Sequence, residues 1–331
     1  MAIIEKKKGY VLMLQERKCA IIGCGFVGAT TAYTLMKSRL FSEMVLIDID
    51  RKKADGEAED LCHGLSFNAP MEIYSGDYTD ICGSAVIILA AGAGQKEGET
   101  RLDLLNKNAI IFKGIVDNIR RYAPDAILLV VTNPVDVLTQ LTLSLSGFPR
   151  ERVIGSGTVL DTARLKYLLG KRFDVDMRNV HAFIIGEHGD SELPVFSSAN
   201  ISGIDLSHFC AASCKSNELC RSENLHPVFE EVKNSAYRII QGKGATYYAI
   251  AEAVERIVSA IVRDEKAILP VSAYVSDYYG ARDICIGVPC IIGKGGIEDV
   301  LKIPLDAEEQ KKFRASADII REAIDSLSLK C

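Results

Sequence analysis

The chain has 331 residues, 48% hydrophobic and 25% charged, the make-up of a globular protein of about two domains. A formal net charge of −5 leaves no basic field for nucleic acid or an anionic membrane, so an anionic ligand needs local arginines. No stretch approaches the roughly 20 apolar residues of a membrane span, and the apolar run Tyr10–Leu14 is too short for a signal-peptide core.

The ten cysteines are irregularly spaced, and the loose group Cys210, Cys214 and Cys220 lacks the partners of a zinc site. Free thiols, no metal and a cytoplasmic location are expected.

After an N-terminal arm over residues 1–18, short apolar runs alternate with helical patterns. Strands are expected at Cys19–Gly23, Met44–Asp48, Ala85–Ala90, Ala126–Val131 and Val153–Gly155. Helices are expected at Val27–Lys37, Lys52–His63, Leu102–Arg121 and Val135–Leu145. Strands apolar along their whole length and separated by helices imply a parallel sheet covered on both faces. The fold class is therefore α/β, a doubly wound parallel sheet of the Rossmann type, with ligands at the carboxyl ends of its strands.

Past residue 157 the alternation weakens into a second, mixed α+β domain. The spacing predicts a helix at Val159–Leu169, a strand at His181–Ile185 and a long helical pattern at Pro227–Arg263, broken at Gly242-Lys243-Gly244. Strands are expected at Ala267–Tyr274 and Ile284–Ile292. A last amphipathic helix carries Phe313, Ala317, Ile320, Ile324 and Leu327 on one face, with Asp306 and Glu309 as its capping pair. The expected division is residues 1–155 for dinucleotide binding and 156–331 for the substrate, with part of the 245–263 helix packing back on the first domain.

The segment Gly23-Cys24-Gly25-Phe26-Val27-Gly28 sits between the first strand and the first helix. Its three glycines suit a tight turn, a close approach to a pyrophosphate and close helix–strand packing. Asp48 follows Gly28 by twenty residues, at the end of the second strand, where a carboxylate accepts both ribose hydroxyls and repels a 2′-phosphate. That favours NAD over NADP, with Asp50 as the alternative carboxylate. Cys24 lies inside the turn, where its oxidation would obstruct the pyrophosphate.

Three further segments carry chemistry. The glycine-rich stretch Ala91–Arg101 suits a cover over a strand-end cleft. Asp161 and Arg164 stand three residues apart on one helix face, a spacing also common in surface ion pairs. His188 lies between glycines in Gly186-Glu187-His188-Gly189-Asp190.

In this order, and together with Val131-Thr132-Asn133-Pro134-Val135-Asp136 and Ser156-Gly157-Thr158-Val159-Leu160-Asp161-Thr162-Ala163-Arg164, these segments resemble the L-lactate/malate dehydrogenase family. The resemblance runs from about residue 18 to the C-terminus. It implies NADH-dependent hydride transfer to a small 2-oxo acid, with His188 as acid/base and Asp161 as its carboxylate partner. It further implies Arg164 as the bidentate anchor of the substrate carboxylate, Arg101 as the arginine that polarises the carbonyl, and Asn133, before a cis proline, as a contact to substrate and nicotinamide ribose.

Gln95 takes the place where malate enzymes carry an arginine, and Thr246 lines the same pocket in relatives. Both imply pyruvate and L-lactate, ahead of oxaloacetate and malate or a branched 2-hydroxy acid. A non-catalytic NAD-binding protein of this fold is the reading from another class, and Arg101, Asp161, Arg164 and His188 all speak against it. Relatives also imply a homotetramer. Some of them bind fructose 1,6-bisphosphate at positions matching Lys166 and His181, and relatives that ignore it carry basic residues there too.

Overall fold

A computed structural model describes residues 17–94, 100–206, 208–209 and 225–327, and for Arg101 the backbone alone. Gln95, Cys210, Cys214, Cys220 and most of the N-terminal arm lie outside the described residues.

The first half alternates as expected: β1 (Lys18–Ile22), α1 (Phe26–Ser38), β2 (Glu43–Ile47), α2 (Arg51–Gly64), β3 (Glu72–Ser75), β4 (Ser84–Leu89), α3 (Arg101–Tyr122), β5 (Ile127–Val130), α4 (Val135–Ser146) and β6 (Val153–Gly155). These six strands run parallel in the order β3-β2-β1-β4-β5-β6. The order reverses between β1 and β4, and that switch point opens a crevice at the carboxyl ends of the strands. Residues from Cys19 to Ile22, Val86 to Leu89 and Leu128 to Val130 are buried along their whole length, which fits a sheet covered on both faces.

The second half comprises α5 (Val159–Phe173), β7 (Val180–Ile185), β8 (Leu193–Ile201), β9 (Ile204–Asp205), α6 (His226–Lys243), α7 (Tyr248–Val262), β10 (Ala267–Val275), β11 (Ile284–Gly293), β12 (Gly296–Val300) and α8 (Ala307–Asp325). The long helical pattern is two helices, because Gly244 at φ +85° caps α6 and the chain restarts at Tyr248. Helix α7 then lies against α1. The capping box at Asp306 and Glu309 forms as expected.

The two halves are joined through one sheet. Strands β10, β11 and β12 do not form a sheet of their own: β10 pairs antiparallel with β6 through Ser272 and Gly155, giving one nine-stranded sheet across both halves. Among the described residues, only β7, β8 and β9 make a separate sheet. Its own core, with Leu165, Leu169, Ile184, Val228 and Val232, lies between that sheet and helices α5 and α6. A loop fastened to a shared sheet has little freedom to drift, which bears directly on the histidine segment.

Candidate active site

At the first candidate site each glycine meets a different constraint. Gly23 has φ +102°, and a Cβ there would meet the Ala91 backbone nitrogen at 2.4 Å. At Gly28 a Cβ would fall 1.8 Å from the Gly23 carbonyl oxygen, so helix α1 and the turn touch through this position. A Cβ at Gly25 would meet nothing within 4 Å. Gly25 caps α1 without a side-chain hydrogen bond, and no acidic residue occupies the first turn. The N–H groups at this helix start have no side-chain cap and suit an anion.

Gly28→Ala is therefore expected to lower stability by about 1–3 kcal/mol through overpacking against backbone. Gly25→Ala should leave stability almost unchanged. Thermal unfolding of the two variants checks the contrast.

Asp48 is half-buried, and its Oδ2 accepts the Cys24 N–H at 2.7 Å, which ties the carboxylate to the turn. Asp50 instead caps α2 by accepting the Lys53 N–H, so the alternative ribose carboxylate is already engaged. The Cys24 thiol is 1% exposed, and burial, then Asp48, push it up to about 12. Oxidation at this turn is thus disfavoured, because the reactive thiolate is suppressed. Cys19, Cys24, Cys62, Cys82, Cys285 and Cys290 are all free thiols.

The second candidate site is a hydrogen-bonded cluster. His188 Nδ1 lies 2.6 Å from Asp161 Oδ2, and Arg164 Nη1 donates to Asp161 Oδ1 at 2.8 Å. The Asp161 side chain is 3% exposed and that of Arg164 15%, so the helix spacing makes a buried pair, not a surface one. The His188 side chain keeps 25% exposure, leaving one edge of the ring open. Burial opposes charge on His188, but the Asp161 carboxylate outweighs it and lifts the imidazole to about 9. Asp161 is held below the usual carboxylate range in spite of its burial, by His188 and Arg164.

The backbone around His188 is fastened from three elements. Gly186, at φ +95°, exchanges backbone hydrogen bonds with Gly287 of β11 at 2.9 and 3.0 Å. Ser316 Oγ of α8 accepts the Glu187 N–H at 2.7 Å. Asp136 Oδ2 of α4 accepts the His188 N–H at 2.8 Å, while Ser272 of β10 donates to Asp136 Oδ1 at 2.5 Å. Burial lifts the Asp136 carboxyl to about 6.

Sequence reasoning assigned no part to Asp136, Ser272, Ser316 or Asn108. The buried Asn108 of α3 accepts from the Ala93 N–H at 2.8 Å and donates to the Asn133 carbonyl at 3.4 Å, joining the glycine-rich segment to the end of β5. Asn133 is exposed, and its bond to Pro134 is cis, as expected.

Among the described residues, Thr246, Lys166 and His181 take no part in the His188–Asp161–Arg164 network. Thr246 is half-buried in the turn between α6 and α7. Lys166 is half-buried on α5, where burial lowers its pKa, and His181 is exposed on β7. Val27 is half-buried in α1, whereas Phe26 is 69% exposed and stacks on Tyr247 at 5.4 Å. Arg101 opens α3, which Thr100 and Asp103 cap.

A Rossmann crevice with an imidazole–carboxylate pair and an arginine on the carboxyl side of the same sheet is the layout of an oxidoreductase. The profile described as lactate/malate dehydrogenase, NAD binding domain, matches residues 17–155, and the one described as lactate/malate dehydrogenase, alpha/beta C-terminal domain, matches residues 158–329. The chain belongs to the lactate/malate dehydrogenase family.

It is 55% identical to L-lactate dehydrogenase of Acetivibrio thermocellus over 95% of this chain and 98% of that protein. It is 50% identical to L-lactate dehydrogenase 1 of Clostridium acetobutylicum over 95% of this chain and all (100%) of that protein. Among solved structures, the minor L-lactate dehydrogenase of Enterococcus mundtii superposes with a TM-score of 0.91 at 39% identity, covering 95% of this chain and 99% of that one. A lactate dehydrogenase from a Medee basin deep-sea metagenome library does so with a TM-score of 0.91 at 41% identity and the same coverage, 95% and 99%.

Proposed function

We propose that this chain is an NAD-dependent L-lactate dehydrogenase that reversibly reduces pyruvate to L-lactate. The contact that carries the reading is Asp161 Oδ2 at 2.6 Å from His188 Nδ1, with Arg164 on the other carboxylate oxygen. The Gly23–Gly28 turn, the uncapped start of α1 and Asp48 would hold the dinucleotide, which when bound supplies the hydride.

With Nδ1 committed to Asp161, Nε2 is the ring nitrogen left to give a proton to the oxygen that becomes the hydroxyl. Oxidation of lactate runs the same transfer backwards, from neutral imidazole. Arg164 anchors the substrate carboxylate through its planar fork, and Arg101 polarises the carbonyl as charge develops. Asn133 and Thr246 complete the pocket. Gln95 selects against a second carboxylate, since a buried anion without a partner costs several kcal/mol.

Following NADH absorbance with pyruvate, oxaloacetate and longer 2-oxo acids tests the assignment, and pyruvate is expected to give the highest kcat/KM. Gln95→Arg should move the preference towards oxaloacetate by about 10² or more, the scale of one charge-assisted hydrogen bond or two. An unchanged ratio of kcat/KM values would contradict the pocket assignment.

The division at residues 155 and 156 follows the loop between β6 and α5, and the profile limits support it. A homotetramer and a cytoplasmic location belong to the same proposal. Among the described residues no helix is long and apolar enough to cross a membrane, and the described cysteines are reduced. Lys166 and His181 are offered as the cations of a fructose 1,6-bisphosphate site.

A further inference from the structure

Glu192 stands four residues past His188 at the entry to β8, only 7% exposed, and no step above uses it. One ligating atom from each of Glu192, Asp161 and His188 lie within 4.8 Å of one another. The Glu192 and Asp161 carboxyl oxygens are thus no more than 4.8 Å apart, and both residues are buried. Two buried carboxylate anions at that separation hold only acceptors and repel each other, which favours a proton on one of the two acids.

The neighbours decide which. Asp161 has a partner on each oxygen, His188 at 2.6 Å and Arg164 at 2.8 Å. Glu192 makes no ion pair with a cation among the described residues. Burial, then the Asp161 charge, push the Glu192 carboxyl up to about 9, while Asp161 is lowered. The remaining charged groups nearby come from α4 and from the histidine segment itself. Asp136 is turned to the His188 backbone and Ser272, and Glu187 accepts from Ser191.

We propose that Glu192 is a positioning residue of the acid/base pair, a neutral carboxylic acid whose O–H donates a hydrogen bond to the Asp161 anion. Its hydrogen bond holds the Asp161 anion in place against His188. It also draws off part of the negative charge that would otherwise tighten the grip on the imidazolium. Glu192 thereby limits how far Asp161 raises the basicity of His188. The inference rests on the acid/base reading of His188 for its catalytic meaning, but not for its measurement.

The test is the His188 imidazole titration, followed by NMR in the ligand-free protein, for wild type, Glu192→Gln and Glu192→Leu. Glutamine keeps a neutral donor facing Asp161, so its titration should overlay that of wild type. Leucine fills similar space without a donor, so the histidine pKa should rise by about half a unit to one unit. A fall in the glutamine variant would mean that Glu192 is an anion, and a leucine curve that overlays wild type would reduce Glu192 to packing. Either result overturns the proposal.

Thermal stability of Glu192→Gln supplies a second reading that needs no folded leucine variant. An acid kept neutral in the native state ionises on unfolding, so its contribution is present below its ordinary value of 4.5 and is lost as pH rises towards about 9. The melting temperature of the glutamine variant relative to wild type should therefore increase from about pH 4 to about pH 8. A pH-independent difference would overturn the proposal. If His188→Gln retained full activity, the acid/base reading would fall, while both measurements would still decide the state of Glu192.

Discussion

Asp161→Asn is expected to lower kcat for pyruvate reduction at about pH 8 by roughly 10³–10⁴. The loss has two parts. With Asp161 ionised, His188 titrates at about 9 and is mostly protonated at that pH. Without the anion, the main opposition to burial is gone and the imidazole falls towards its ordinary 6.5. The protonated fraction then drops by roughly 30-fold, since each unit of pKa is a factor of ten. The rest comes from orientation: an amide facing Nδ1 can present its N–H and select the wrong tautomer, the effect seen in other imidazole–carboxylate pairs. Steady-state rates across pH separate the parts, because only the first is recovered at low pH.

The same substitution has a stability signature. His188 is raised above its ordinary value, so its contribution is complete below about 6.5 and disappears as pH rises through about 9. Asp161 is lowered, so its share is present above the ordinary 3.8 and is lost as pH falls through its native value. The stability gap between wild type and Asp161→Asn should thus be widest in mildly acid solution and narrow towards alkaline pH, where the Arg164 contact to Asp161 remains.

Arg164→Lys is expected to reduce kcat/KM for pyruvate by about 10²–10³, mostly as a rise in KM. An ammonium keeps the charge but not the two parallel N–H donors that match a carboxylate. Arg164 Nη1 also donates to Asp161 at 2.8 Å, so the guanidinium spans the substrate anchor and the acid/base pair. Lysine cannot make both contacts with the same geometry. A KM within threefold of wild type, from about the same expression and fold, would contradict the anchor assignment.

The first half of the fold was legible because its strands are buried on both faces and read as apolar runs. Met44–Asp48 and the observed Glu43–Ile47 differ by one residue. The strands that sequence reasoning missed lack that signal. Strand β3 (Glu72–Ser75) sits at the sheet edge with only Ile73 fully buried. At the other edge, β12 (Gly296–Val300) carries Glu298 and Asp299. Strand β8 alternates buried and part-exposed positions but carries Pro194 as its second residue and includes Ser197, Ser198 and Asn200.

The site divides in the same way. His188, Asp161 and Arg164 occur in short motifs whose residue types announce chemistry. Their meeting still depends on α5 packing against β7, which no local spacing dictates. Asp136 reads as an ordinary acidic residue in the first turn of a helix, and only the fold brings it to the His188 backbone 52 positions away in sequence. Ser272 and Ser316 are ordinary strand and helix residues for the same reason. Glu192 is the sharpest case, because its chemistry depends on a proton that only its buried contact with Asp161 explains.

We propose that Asp161 tunes His188 into the proton carrier for a 2-oxo acid. The pH dependence of kcat/KM for pyruvate reduction tests it most directly. Full activity is expected through neutral pH, followed by a decline governed by one group near 9, with lactate oxidation gaining over the same range. A decline governed by a group at the ordinary imidazole value of 6.5, or a profile unchanged by Asp161→Asn, would contradict it.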